Sequence, residues 1–134
     1  MFNFEKLQVW KEALALADDV YRMTSAFPGD ERFGLTTQMR RAAVSISSNL
    51  AEGASRHSHA DYARFVELAS GSLYELVSQS FIASRQSFLA EPERASLCST
   101  AEKVSKMLSG LRNHLVNTPR WLPSQQSTFN SQQS

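Results

Sequence analysis

Apolar positions recur along this chain at helical spacing in four stretches, separated by polar and proline-containing breaks. Leu7, Trp10, Leu14, Ala17, Tyr21 and Thr24 alternate at intervals of three and four, which predicts a first helix over about residues 3 to 26 with Trp10 and Tyr21 on its core face. Phe27-Pro28-Gly29-Asp30 ends it, because the residue before a proline is pushed out of the helical region and Gly-Asp suits a turn. The second helix is expected from Leu35 or Thr36 to Gly53, with Thr36 and Thr37 offering capping hydroxyls. At about 100° per residue, Leu35, Met39, Ala42, Ala43, Ile46 and Leu50 share an arc of less than half the circumference. Arg40, Val44, Ser47 and Ala51 form a neighbouring strip small enough to admit another helix, and Arg41, Ser45, Ser48 and Glu52 lie opposite. Gly53 then stands where a glycine usually stops a helix.

Ser58 and Asp61 resemble a capping box that opens a third helix, running to about Phe88, in which Tyr62, Val66, Ala69, Leu73, Leu76, Ser80 and Ala83 form the core stripe. Phe65, Leu68, Val77 and Phe81 widen its apolar surface beyond one stripe, which predicts packing between subunits. Gly71, in mid-helix, implies the close approach of a neighbouring helix, since glycine there is about 1 kcal/mol worse than alanine. A fourth helix opens near Pro92 and carries Leu97, Ala101, Val104, Leu108, Leu111 and Leu115 to about Asn117, where Thr118-Pro119 stops it. The expected architecture is all-α: an antiparallel up-down-up-down four-helix bundle over residues 1–117. The Ser/Gln-rich tail, residues 118–134, is expected to be disordered apart from local docking of Trp121 and Leu122.

Composition narrows the function classes. With 134 residues, 42% hydrophobic and 20% charged, the chain fits one folded domain. A formal net charge of +1 gives no global attraction to polyanions, so nucleic-acid binding would need local clusters. Arg40 and Arg41 are one such cluster, and Lys103, Lys106 and Arg112 gather on the last helix, where no acidic residue follows Glu102. The single Cys98 fits a reducing compartment. MFNFEKLQVWKE lacks the basic start and unbroken apolar core of a secretory leader, and no stretch is long and apolar enough for a membrane span, so a cytoplasmic protein with no membrane partner is expected.

Three sets of residues in register resemble a known family. They are Leu7-x-Val9-Trp10; Phe27-Pro28-x-x-Glu31-x-x-Gly34-Leu35-Thr36-x-Gln38-x-Arg40-Arg41-Ala42-x-x-Ser45-Ile46-x-x-Asn49-x-Ala51-Glu52-Gly53; and Tyr62-x-x-Phe65-x-x-x-Ala69-x-Gly71-Ser72-Leu73-x-Glu75. Over roughly residues 4 to 116 the chain is similar to the bacterial four-helix-bundle proteins, also called 23S ribosomal RNA intervening-sequence proteins or, in older naming, "S23 ribosomal protein". The resemblance implies a cytosolic bundle assembling as a ring-like homopentamer. It also implies kinship with the accessory variability proteins of diversity-generating retroelements, which work with a reverse transcriptase and nucleic acid. Arg40 and Arg41 are the candidate contacts it suggests on a positively charged ring surface.

Other constellations are weaker. His57, His59 and Asp61 are metal-ligand types, with His114 a conceivable fourth, but residues two apart do not share a helix face, and solvated histidines beside a cap are the simpler reading. Asn49 and Glu52 read as groups satisfying backbone at the 2–3 connection, and Arg41 has Glu52 as a possible ion partner. Cys98, with no evident basic neighbour, reads as a packed thiol. No catalytic set, metal site or cofactor is expected. Two functions remain: a homo-oligomer presenting Arg40, Arg41, Lys103, Lys106 and Arg112 to RNA or DNA, and a scaffold for another protein.

Overall fold

A computed structural model of the chain describes residues 1–118. The tail beyond them, with Trp121 and Leu122, lies outside the described residues. Among those described there is no strand, and four helices account for most of the chain: α1 (Gln8–Thr24), α2 (Leu35–Ala54), α3 (His59–Arg85) and α4 (Glu91–Asn117). α2 packs on α1 and α3, and α4 packs on α3 and α1, so each helix has two neighbours and α2 faces α4 across the diagonal. The core stripes expected for α2, α3 and α4 are buried at every position. One apolar cluster runs the length of the bundle from Leu7 to Leu115.

α1 differs from expectation in register. Its buried residues are Val9, Ala13, Leu16, Val20, Met23 and Thr24; of the expected stripe Leu7 and Thr24 are buried, Leu14 and Tyr21 are exposed, and Trp10 and Ala17 are only half-buried. The helix carries two adjacent apolar stripes about 100° apart, and spacing alone does not choose between them. The core takes the compact aliphatic stripe. Trp10 stays at the edge, its ring 5.0 Å from that of Phe4. The helix also starts later than expected: Asn3–Lys6 form a 3₁₀ turn and Leu7 is extended. This turn is held by the Phe2 amide donating to the Glu5 carboxylate at 2.7 Å, and by Asn3 Nδ2 donating to the Ala54 carbonyl at 2.8 Å.

Several local expectations are corrected in the same way. Thr36 and Thr37 do not cap α2; Gly34 is the N-cap, Thr36 is buried, and the Thr37 hydroxyl donates backward to the Arg32 carbonyl. Gly53 lies inside α2, which continues to Ala54. Its need for glycine is space, since a Cβ there would stand 2.8 Å from Phe65 Cβ and 3.0 Å from Tyr62 Cδ1. Tyr62 is correspondingly deep, and burial pushes its phenol above the ordinary value. Gly71 is the reverse case: a Cβ would meet nothing within 4 Å, so the close helix contact expected there is not made. Asn49 does not serve the 2–3 connection either, because its amide donates to the Ser45 carbonyl and hydroxyl within α2. Ser58 caps α3 as expected by accepting from the Asp61 amide at 3.1 Å. α3 ends at Arg85 rather than Phe88, turned by Ser87 at φ 63°.

Candidate nucleic-acid interface

Consecutive residues on a helix point about 100° apart, so Arg40 and Arg41 cannot share a direction. Arg40 turns toward α1. Its Nε donates to the Thr24 hydroxyl at 2.9 Å, its guanidinium reaches the Tyr21 carbonyl at 3.4 Å, and it lies 4.5 Å from the centre of the Tyr21 ring. That carbonyl already accepts from the Ser25 amide at 3.2 Å and the Ser25 hydroxyl at 2.7 Å, so Arg40 adds one more donor at the last turn of α1. Arg41 points outward, is exposed, and has no ion pair among the described residues; Glu52 is also exposed and does not reach it. Tyr21, Thr37, Arg40, Arg41, Val44 and Ser45 line an open groove of about 470 Å³ between the outer edges of α1 and α2.

The remaining candidates lie elsewhere. Lys103 pairs with Glu12 of α1 at 3.1 Å, and Arg112 pairs with Glu67 of α3 at 2.5 Å. Lys106 is exposed and has no ion pair among the described residues. All three sit on α4, diagonally across the bundle from α2. One chain therefore does not bring the five basic residues together on one face.

Sequence reasoning missed a set of arginines lying on aromatic rings. Arg56 and Arg64 stand 4.7 Å and 4.5 Å from the Phe65 centroid, and Arg94 stands 4.3 Å from that of Phe81. Arg94 also donates to Cys98 Sγ at 3.2 Å, so the thiol has a basic neighbour one helical turn earlier, a spacing that was legible in the sequence. On the other side of Arg94, Glu91 accepts from it and from Ser84, and these bonds pull its carboxyl down to about 2. His59 Nδ1 donates to the Thr118 carbonyl at 2.6 Å. Nearby His114 has its pKa lowered by burial and then by the charge of His59, so these two histidines meet while His57 stays exposed in the connection. Among the described residues no group of three or more His, Cys, Asp or Glu is placed to hold a metal ion. No helix among them is long and apolar enough to cross a membrane.

Comparison with known proteins adds a family and a fold. Residues 5–110 match the model of the 23S rRNA-intervening sequence protein family. A crystal structure described as a protein with unknown function from the S23 ribosomal protein family, from Bacteroides thetaiotaomicron VPI-5482, superposes with a TM-score of 0.67 at 19% identity. The alignment covers 75% of this chain and 94% of that one, and at this identity the likeness is one of fold. No curated protein matches the sequence.

Proposed function

The chain belongs to the 23S rRNA-intervening sequence protein family, and on that footing we propose that it is a non-enzymatic, homo-oligomeric four-helix bundle that holds RNA or DNA through the arginines of α2. The observation that carries this reading is Arg41, an exposed guanidinium on a rigid helix, at the rim of a groove, with no ion pair among the described residues. A planar guanidinium matches phosphate oxygens two at a time, and Arg41 need break no existing pair to do so. One such contact is weak; a closed ring of copies, which we take to be a pentamer acting in the cytoplasm, multiplies it without new chemistry.

The outer surface of α3 supports the assembly. It exposes Leu68, Tyr74, Phe81 and Ile82, and the open backbone of Gly71 lies among them. An unpartnered apolar surface of this kind favours association. Among the described residues the buried polar side chains Thr24, Thr36, Ser47, Gln79 and Ser80 are poor acid–base groups, and burial holds the Tyr62 phenol above its ordinary value, which together favour a structural interior.

Gel shift with the full chain tests the reading. Binding at low salt that falls steeply as salt rises, and that Arg41→Ala weakens, is expected; no retention at low salt overturns it. Light scattering checks the assembly: a mass several times 15.0 kDa is expected, lowered by Gly71→Trp. A second reading, a scaffold for another protein, draws on the placement of Lys103, Lys106 and Arg112 across the bundle from Arg41. A protein partner that survives nuclease treatment during affinity purification would favour it.

A further inference from the structure

The α1–α2 groove has more in it than phosphate binding requires. A site for backbone phosphates needs cations and hydrogen-bond donors, yet this groove also presents Tyr21, 45% exposed, and Val44, 42% exposed. Both are large apolar side chains left open to water beside Arg41. The Tyr21 ring is also not a loose surface group. Arg40 lies across it, and Arg40 is itself anchored by its bonds to the Thr24 hydroxyl and the Tyr21 carbonyl. The result is a preorganised pair of planar groups, one aromatic and one guanidinium, on one wall, with Val44 and Arg41 also lining the groove. Unpaired nucleobases stack on such aromatic and guanidinium planes, whereas bases inside a duplex have no free face to offer.

Resting on the nucleic-acid reading above, we propose that this groove is a single-strand site: an unpaired base lies on the Tyr21–Arg40 pair against Val44 while Arg41 takes the adjoining phosphate. The chemistry of the groove matches the occupant in both its parts, cation for phosphate and flat apolar surface for base. Its volume of about 470 Å³ leaves room for a base with its sugar. Base stacking is tolerant of sequence, so the site discriminates strandedness rather than sequence. Each subunit of an oligomer contributes one such site.

Fluorescence anisotropy on the full-length protein tests the inference, using a labelled oligonucleotide of about 16 nucleotides, the upper end of an ordinary single-strand site, alone and annealed to its complement. The single strand is expected to bind about tenfold or more tightly than the duplex. Tyr21→Leu, which keeps an apolar side chain but removes the ring, is expected to weaken single-strand binding by roughly five- to a hundredfold while leaving duplex binding and the salt slope unchanged. Tyr21→Phe is expected to retain it. Arg41→Ala is expected to weaken single strand and duplex alike and to reduce the salt slope by about one. Equal affinity for both forms, or indifference to Tyr21→Leu, overturns the single-strand site while leaving phosphate binding in place. Absence of binding to either form overturns the nucleic-acid reading itself. A fall in oligomer mass on Tyr21→Leu assigns the groove to a second copy of the chain and overturns the proposal as well.

Discussion

The Arg40 guanidinium lies 4.5 Å from the centre of the Tyr21 ring, joining the second helix to the last turn of the first. Its Nε also supplies the Thr24 hydroxyl with a donor, while that hydroxyl donates to the Val20 carbonyl at 2.8 Å. Two adjacent arginines thus differ in placement: Arg40 joins α1 to α2, and Arg41 is exposed with no ion pair among the described residues. Arg40→Ala should destabilise the fold by about 1–2 kcal/mol, from the lost ring contact and hydrogen bond. Arg41→Ala should stay within about 0.5 kcal/mol of the parent. Urea unfolding of the two variants checks the difference; equal losses would mean that Arg41 has a structural partner too.

The glycines of α2 and α3 should respond in opposite directions to the same added methyl. At Gly53 a Cβ would stand 2.8 Å from Phe65 Cβ, a part of the side chain that cannot rotate away. Overpacking of this kind costs about 1–3 kcal/mol, more than the helix-propensity gain of roughly 1 kcal/mol, so Gly53→Ala should be net destabilising. At Gly71 the space is open, and Gly71→Ala should stabilise by about 0.5–1 kcal/mol. The measurement is thermal unfolding at a dilution where light scattering gives the mass of one chain. A loss at Gly71 under those conditions would contradict the open surface.

Asn3 joins the start of the chain to the end of α2 through its 2.8 Å bond to the Ala54 carbonyl. That carbonyl belongs to the last turn of α2, where intrahelical donors run out. Asn3→Ala should cost about 1 kcal/mol and raise hydrogen exchange in residues 2–7 before any effect reaches the core. Exchange unchanged in that segment would mean that the 3₁₀ turn holds itself.

How much of this was legible in the sequence depended on whether a helix carried one apolar stripe or two. α2 has one dominant arc, and the residues read from it, such as Met39 and Ile46, are those buried in the bundle. α1 has two, so Tyr21 was expected inside and is found at the rim of the groove. The candidate interface was half-legible. The Arg40-Arg41 pair stood out, but helical rotation separates its members, and the α4 cations lie across the diagonal, which linear charge counting does not register. Gly53 is required by space rather than by helix termination. A glycine near a helix end suggests backbone freedom, whereas the contact with Phe65 is a tertiary fact that no local pattern encodes.

The histidine corner should make stability fall with acid. His59, the first residue of α3, holds the Thr118 carbonyl at the end of α4. His114, one turn earlier on α4, has its pKa lowered first by burial and then by the neighbouring His59. A histidine whose folded pKa is depressed binds its proton more readily when unfolded, so the unfolded state gains protons first as pH falls. Its stability contribution is therefore complete above the unfolded value, near 6.5, and is lost progressively below it. Unfolding in urea at a series of pH values between about 7.5 and 5 should show a decline that His114→Gln flattens, because an amide of similar size does not titrate. A decline of the same steepness in that variant would assign the acid sensitivity to other groups.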